Sequence, residues 1–562
     1  MHRASLSRGV ANAKAAAGPV RGRELAVALE PGGRRGRLLL ERLRPRGERA
    51  FALVPALALA GALALVWLLV EPRTPDLAAQ VYRVGLFRSV GFAIWDEHWY
   101  AGHHLPGYSL LFPPLGALLG VRATGAASAL ASTALFALLV SGRYGRGARW
   151  GAVAFAVAAV GDIWLGRLSF ALGVPFALAA VLCYARGPVL LAAALAALCA
   201  AASPVAGLLL GLAALTGALA SRSPRPLLAL ALPAALVVLP LATLFPEGGS
   251  EPYPTLSFLA TAGAVLAFIV AVPRGEKLLR SGGPLYLLAC LACVLVPSPI
   301  GSNVERYGVL LAAPLLLASR PRPGLVGSLA LAAIGTWVLW GPVRETAAVA
   351  GSPNTLASYY EPLERFLDGV QGGPVRIEVP LTRSHWEAAL LAPKVSLARG
   401  WEKQLDERYD GVLLGGRLTA AAYRRWLRRE AVSYVALPDA PLDPSSAAEG
   451  RLIRDGLPYL REVFASRHWR VFAVIGAQPL LSGPGRLLSL GHDSFTLAAS
   501  SPGPIEVRVR DTRYWTLTAG RGCVGAGPEG FTRVRAAAPG RITVSARFSL
   551  SRAFGSGPSC RA

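Results

Sequence analysis

Charge is scarce in this 562-residue chain: 16% of its residues are Asp, Glu, Lys or Arg, 53% are hydrophobic, and mean hydropathy is +0.44. A soluble domain carries about 25% charged residues, so a wholly soluble protein is excluded. Lysine is scarcer still. It occurs only as Lys14, Lys277, Lys394 and Lys403, and the remaining basic residues are arginine. The formal charge of +25 therefore reflects arginine usage, and where the arginines fall matters more than their number. Cysteine occurs six times. Cys183, Cys199, Cys290 and Cys293 lie in apolar runs, as small buried hydrophobes do. The CxxC spacing of Cys290-Leu-Ala-Cys293 has only apolar neighbours, which argues against a redox or metal pair. Cys523 and Cys560 stand in a polar C-terminal part and can pair only if that part lies outside the cytoplasm. The chain shows no internal repeat.

What is abundant is apolar sequence. Phe51 to Val70 is long enough for one bilayer crossing and is preceded by about fifty residues, too many for an ordinary signal peptide. That leader, residues 1–50, carries Arg34, Arg35, Arg37, Arg42, Arg44, Arg46 and Arg49. Cytoplasmic flanks are enriched in Arg and Lys, so the N-terminus is expected inside. Further spans are expected at 124–142, 150–163, 168–184, 188–203, 204–220, 227–245, 255–272, 284–298, 308–319 and 324–341. With eleven crossings every alternate loop is basic. Arg143, Arg146 and Arg149 fall inside, as do Arg186, then Arg222 and Arg225, then Arg274, Lys277 and Arg280, then Arg320 and Arg322. The stretch 108–121, with Pro113-Pro114, is too short to span and is expected as a juxtamembrane or re-entrant segment. Since topology accounts for the arginines, a nucleic-acid partner is not expected.

The fold class expected is an α-helical multi-pass membrane protein, with a transmembrane domain over 51–341 and an exported C-terminal part. Strand-like runs at 375–379, 432–437, 469–475, 505–509 and 542–548 alternate with turn residues. Helical patterns cover Leu418–Glu430 and Ala448–Ala465. Residues 342–480 thus read as α/β and 481–562 as a mostly β unit.

Chemistry concentrates in the first outer loop, 71–123. Thr74-Pro75-Asp76 is a good helix start, with Thr as N-cap and an acid near the positive dipole end. Leu77, Val81, Val84 and Phe87 then repeat at helical spacing, which suggests a helix lying along the membrane surface. Asp76 is either a cap for that helix or an acid at the membrane edge that takes a proton from an acceptor hydroxyl. Trp95-Asp96-Glu97-His98-Trp99-Tyr100 has three readings. Asp96 and Glu97 could bind a divalent cation or do acid–base work. His98, His103 and His104 could complete a metal site, although no familiar ligand spacing is matched. Trp99, Tyr100 and Tyr108 could anchor at the interface or stack on a sugar ring. Asp162 and Arg167 bracket another outer turn, and Glu305 and Arg306 lie in a third; outward arginines suit a phosphate.

Asp76 after the first crossing, Tyr100-Ala-Gly-His-His-Leu-Pro-Gly-Tyr108 and Phe112-Pro-Pro-Leu115 together resemble the GT-C class of membrane glycosyltransferases. Gly166-Arg167-Leu-Ser-Phe170-Ala-Leu-Gly173, His385-Trp-Glu-Ala-Ala and Ala398-Arg-Gly-Trp-Glu402 resemble a group of actinobacterial multi-pass proteins of that architecture. The resemblance implies a polyprenyl-phosphate sugar donor, a cell-envelope glycan or lipid acceptor, Asp76 as catalytic acid–base residue and a plasma-membrane location. The candidate substrate contacts are Asp96, Glu97, Trp99, Tyr100, His103, His104, Tyr108, Asp162, Arg167, Glu305 and Arg306. Where many members of that class have adjacent acids, this chain sets Pro75 and Leu77 beside a single aspartate. No cofactor is implied with certainty, and a divalent metal stays open. Two other classes compete: a flippase for a lipid-linked saccharide, and a non-catalytic envelope-assembly protein. The near absence of charge within the spans argues against ion-coupled transport.

The arginine alternation is directly testable. Reporter fusions after residues 145, 223 and 277 are expected to read inside, and one after 345 outside. A cytoplasmic signal at 345 would remove the exported domain.

Overall fold

A computed structural model describes residues 46–321, 324–555 and 560. The basic leader before residue 46, and Arg322, lie outside the described residues. The chain is a mostly helical membrane protein whose C-terminal part is built on β-sheets. Its membrane half comprises α1 (Arg46–Val70), α2 (Pro75–Val90), α3 (Phe112–Leu119), α4 (Val121–Tyr144), α5 (Ala148–Trp164), α6 (Leu168–Arg186) and α7 (Val189–Ala202). It continues with α8 (Pro204–Ser221), α9 (Leu232–Leu244), α10 (Thr255–Ala271), α11 (Lys277–Leu295), α12 (Glu305–Ala318) and α13 (Leu325–Val349).

Seven stretches among the described residues are long and apolar enough to cross a membrane. One of them, Val121–Trp164, holds both α4 and α5, which are joined by a 3-10 turn at Gly145–Gly147 and pack on each other. The shorter apolar helices α7 and α10, with α12, complete the set. Each of the eleven expected spans therefore has its helix. Leucines such as Leu118, Leu190 and Leu256 are left exposed, as residues against hydrocarbon would be. Where helices touch, small residues let the backbones approach. A Cβ at Gly151 would stand 2.6 Å from that of Ala318, one at Gly173 2.6 Å from that of Ala206, and one at Gly207 2.8 Å from that of Ala200.

Two elements depart from expectation. Instead of lying open on the membrane surface, α2 is mostly buried, Tyr82 and Arg83 included. The short helix Glu387–Leu390 of the C-terminal part packs over it. The 108–121 stretch supplies α3, which packs on α2 through Gly116 and Val84 and does not span. Helix α13 continues to Val349, beyond the boundary expected at 341.

The C-terminal part contributes a five-stranded sheet and a pair of four-stranded sheets. In the first, the central strand Val432–Pro438 pairs parallel with Arg376–Glu378 and antiparallel with Trp469–Val474. Its strand residues Ile377 and Trp469, and Trp386 and Leu405 from the neighbouring helical segments, belong to the same apolar core as the helical bundle. The two four-stranded sheets enclose a separate core of Phe495, Leu497, Ile505, Val507, Val534 and Val544, forming a sandwich. The five expected strand-like runs all fall on strands. The helix expected over Ala448–Ala465 is corrected: a helix covers Ala447–Arg454 and a strand Leu460–Ala465. Gly456, at φ +86°, and Pro458 end the helix, and the following residues join the sheet edge beside Trp469–Val474.

Cys523 and Cys560 are bonded, across a sequence separation of 37. Closing a loop of that size stabilises a chain by about 3–4 kcal/mol. Cys523→Ser is therefore expected to lower the stability of the sandwich by that order, and non-reducing peptide mapping of native membranes is expected to recover the linked pair. Recovery of both as free thiols would contradict the bond.

Candidate active site

The polar site begins with a tight turn. Gly166 sits at φ +84°, and a Cβ there would stand 2.3 Å from the backbone nitrogen of Leu77. Glycine thus lets the turn between α5 and α6 press against the first turn of α2. The next residue, Arg167, lies with its Nε 3.5 Å from Asp76 Oδ2. Thr74, expected as the N-cap, makes no side-chain cap bond and donates its hydroxyl to the Trp164 carbonyl at 2.9 Å. That contact ties the start of α2 to the end of α5 a second time.

Other charges gather around this pair. Asp162 lies within electrostatic reach of Arg167, Arg306 and Asp76, and Arg306 is also within reach of Tyr108. The Arg306 guanidinium stacks 5.4 Å from the Phe170 ring. Glu251, from the loop after α9, accepts a bond from Ser302 Oγ at 3.1 Å and lies within reach of Lys403, Arg306 and Asp76. Burial is the main influence that pushes the Glu251 carboxyl above its ordinary range. Three carboxylates and three cations from five chain segments therefore gather at the end of the bundle that carries the C-terminal layers. The Arg306 Nε–H is buried without a hydrogen-bond partner, and the Arg167 Nε is engaged only by the 3.5 Å ion pair with Asp76.

Of the expected contacts, Asp76, Tyr108, Asp162, Arg167 and Arg306 come together here. Glu305 turns aside and accepts from Thr261 Oγ1 at 3.0 Å. The Asp96-to-His104 stretch goes elsewhere: it forms a small hairpin, Trp95–Asp96 against His103–His104, buried beneath the sandwich. Tyr82 donates its hydroxyl to Asp96 Oδ2 at 2.7 Å, and His492 of the sandwich sits 3.0 Å from Asp96 Oδ1. Burial alone would raise the Asp96 pKa, but the His492 hydrogen bond and the surrounding imidazoles outweigh it and hold it at about 2. Glu97 is fully buried with both carboxylate oxygens unpartnered, and burial pushes its pKa well above the usual range. Burial likewise lowers that of His98, which contacts the Ala392 carbonyl through Nδ1. His104 reaches Thr512 at 3.0 Å, and Trp99 donates to the Ala388 carbonyl at 3.0 Å. Tyr100 hydrogen-bonds the backbone of Glu402. These positions correct the expectation of an open, substrate-lined loop: Asp96, Glu97, Trp99, Tyr100, His103 and His104 are interior residues that seat the C-terminal layers. Among the described residues, no group of three or more His, Cys, Asp or Glu side chains is arranged to hold a metal ion.

Residues from far along the chain complete the arrangement. Arg83 on α2 pairs with Glu402 at 2.5 Å and stacks 3.7 Å from the Tyr108 ring, whose hydroxyl accepts from Gln80 at 2.6 Å. Asp76, Gln80 and Arg83 stand at i, i+4 and i+7, one stripe of α2. Arg408 bonds the Glu247 carbonyl, and Gln404 donates to that of Pro299 at 3.2 Å. The segment 401–409 therefore bridges two interhelical loops above the cluster. Glu251 and Lys403 lie in ordinary-looking polar stretches, and no local spacing marks them. Arg83 was hidden in a helix read as amphipathic.

Gly166→Ala is expected to separate α2 from Arg167, because the added methyl meets backbone and the positive φ is strained. A lower melting temperature together with loss of any Asp76-dependent activity would confirm that this turn builds the site. An unchanged protein would refute it.

No protein-family profile matches the chain, and no curated protein matches it. Among solved structures, the arabinofuranosyltransferase AftD from mycobacteria aligns with a TM-score of 0.42 and 15% identity. The alignment covers 90% of this chain and 58% of that one, so this chain spans less than two thirds of AftD. At that level of likeness no activity and no residue role passes from AftD to this protein.

Proposed function

We propose that this protein is a GT-C-like membrane glycosyltransferase. It transfers a pentose or hexose from a polyprenyl-phosphate donor to a cell-envelope glycan or lipid acceptor at the outer face of the plasma membrane. The observation that carries this reading is the meeting of Asp76, Arg167 and Arg306 at the end of an apolar helical bundle. A lipid-linked phosphate must present its headgroup at such a level. In the proposed step the acceptor oxygen attacks the anomeric carbon while the bond from that carbon to the phosphate oxygen breaks. The acceptor proton passes to Asp76, and the bonding pair leaves on the phosphate oxygen, so the released polyprenyl phosphate gains a second negative charge, which Arg167 and Arg306 offset. The resting Asp76–Arg167 contact suits this sequence: a phosphate draws on Arg167 and frees the carboxylate to act as base. Asp162 balances the two arginines when the phosphate is gone. The bonded cysteines fit an exported C-terminal part.

The test uses purified protein with defined polyprenyl-phosphate pentoses and hexoses and envelope glycans, with products read by mass spectrometry. Asp76→Asn keeps the size of the side chain and is expected to reduce transfer by about 10²-fold or more, the usual worth of a general base. If Asp76 serves only the helix start, the variant loses at most about 0.5–2 kcal/mol of stability and stays active. A well-folded Asp76→Asn protein with wild-type transfer would overturn the assignment.

A further inference from the structure

Two segments, His385-Trp386-Glu387 and Ala398–Glu402, have no part in the transfer step above, yet they meet over the start of α2. Trp386 donates its indole N–H to the Arg73 carbonyl at 3.0 Å, three residues before Asp76. His385 adopts φ +55°, a region that residues other than glycine seldom enter. Its ring lies 3.4 Å from that of Trp401, tilted by 12°, a full face-to-face stack. Two carboxylates flank the imidazole: Asp443 Oδ2 is 3.5 Å from Nε2, and Glu387 Oε1 is 3.8 Å from Nδ1. Glu387 is itself fixed by the backbone N–H of Thr382 at 2.9 Å and by its hydroxyl at 2.5 Å. Although His385 is only 2% exposed, its Nδ1 has no hydrogen-bond partner. Backbone strain and an unsatisfied buried nitrogen are both costs, and what they achieve is a rigid backing for one face of Trp401.

Trp401 itself is half-buried, and its backbone is equally constrained. On one side Gly400 presses on Trp99, where a Cβ would come within 2.4 Å of the indole. On the other, Glu402 is held by Arg83 and by the Tyr100 hydroxyl, which accepts its backbone N–H at 2.9 Å. Over the ring, the ammonium of the exposed Lys403 lies 5.9 Å from its centroid. Lys403 is within electrostatic reach of Glu251, and Glu251 of Asp76 and Arg306. A clamped, partly exposed indole, overhung at 5.9 Å by the side chain of an exposed lysine that a ligand can displace, thus adjoins the polar cluster. That combination suits a carbohydrate: the C–H face of a sugar ring covers the indole, and its hydroxyls meet Lys403 and Glu251.

We infer that Trp401, backed by His385 and overhung by Lys403, is a saccharide-binding platform that holds the acceptor glycan beside Asp76, the lysine swinging aside to meet the sugar's hydroxyls. The inference rests on the transferase reading for the word acceptor, but its test does not need catalysis. Binding is measured by calorimetry on the Asp76→Asn protein in lipid nanodiscs, with lipid-free arabinan, mannan and galactan hexasaccharides as probes. At least one hexasaccharide is expected to bind, and Trp401→Ala to weaken it tenfold or more. Trp401→Phe, which keeps an aromatic face, is expected to restore most of the affinity. Lys403→Met, at an exposed position, is expected to weaken it several-fold. Equal affinities in the Asp76→Asn protein with and without Trp401→Ala would overturn the platform, as would the failure of all three probes to bind. If a hexasaccharide binds through Trp401 while Asp76→Asn remains catalytically active, the platform stands and the base assignment falls.

Discussion

Everything polar in this protein depends on how opposite charges are held at the end of an apolar bundle. Asp76 and Arg167 keep part of their surface open, but Asp162 and Arg83 are buried, and removing one partner of a buried pair is far costlier than never having had the pair. The structure meets this constraint by pairing across chain segments. Asp76 faces Arg167 from a different helix junction, Asp162 and Glu251 face Arg306, and Arg83 faces Glu402 from more than three hundred residues away. The first of these contacts exists because Gly166 carries no side chain. The Gly166–Gly173 motif then follows as one device. Gly166 admits α2, Arg167 meets Asp76, Phe170 supports Arg306, and Gly173 brings α6 against Ala206 of α8.

Helix α2 is the element on which the two halves of the molecule agree. One stripe bears Asp76, Gln80 and Arg83, and Tyr82 reaches back to Asp96 in the hairpin that follows. Because the five-stranded sheet shares its apolar core with the bundle, this layer is no tethered appendage. The sandwich has its own core, which takes in Ile94, Trp95 and Phe245 of the membrane half, and is tied further by polar links such as Asp96 with His492 and Arg510 with Glu430 at 2.7 Å. The Asp96 contribution has a definite pH window. With the folded pKa depressed to about 2 from the model-peptide value of 3.8, the stabilisation is complete above the unfolded value. It disappears only as pH falls through about 2. Over the neutral range the Asp96 carboxylate therefore stays ionised.

Local sequence determined the spans and the strands, because each depends on a short-range pattern: a long apolar run, or alternation between turns. The eleven helices and the five strand-like runs were legible for that reason, as was the cysteine pair once the spans put both in one compartment. The helix expected over Ala448–Ala465 failed where a short-range pattern was trusted across Gly456 and Pro458. Asp76, Arg167 and Arg306 were legible as polar groups at the ends of apolar runs, which by itself places them at one level of the membrane. Their mutual distances were not, because helix packing fixes them. The same limit misdirected the reading of Asp96, Glu97, His103 and His104. A loop dense in titratable groups looks like an open site, and only the tertiary structure decides that a sandwich closes over it and turns those groups inward. Tertiary structure alone also brought Gly400 and Glu402 to the first loop and Lys403 toward Glu251, since no spacing in a sequence records which surface a distant segment will cover.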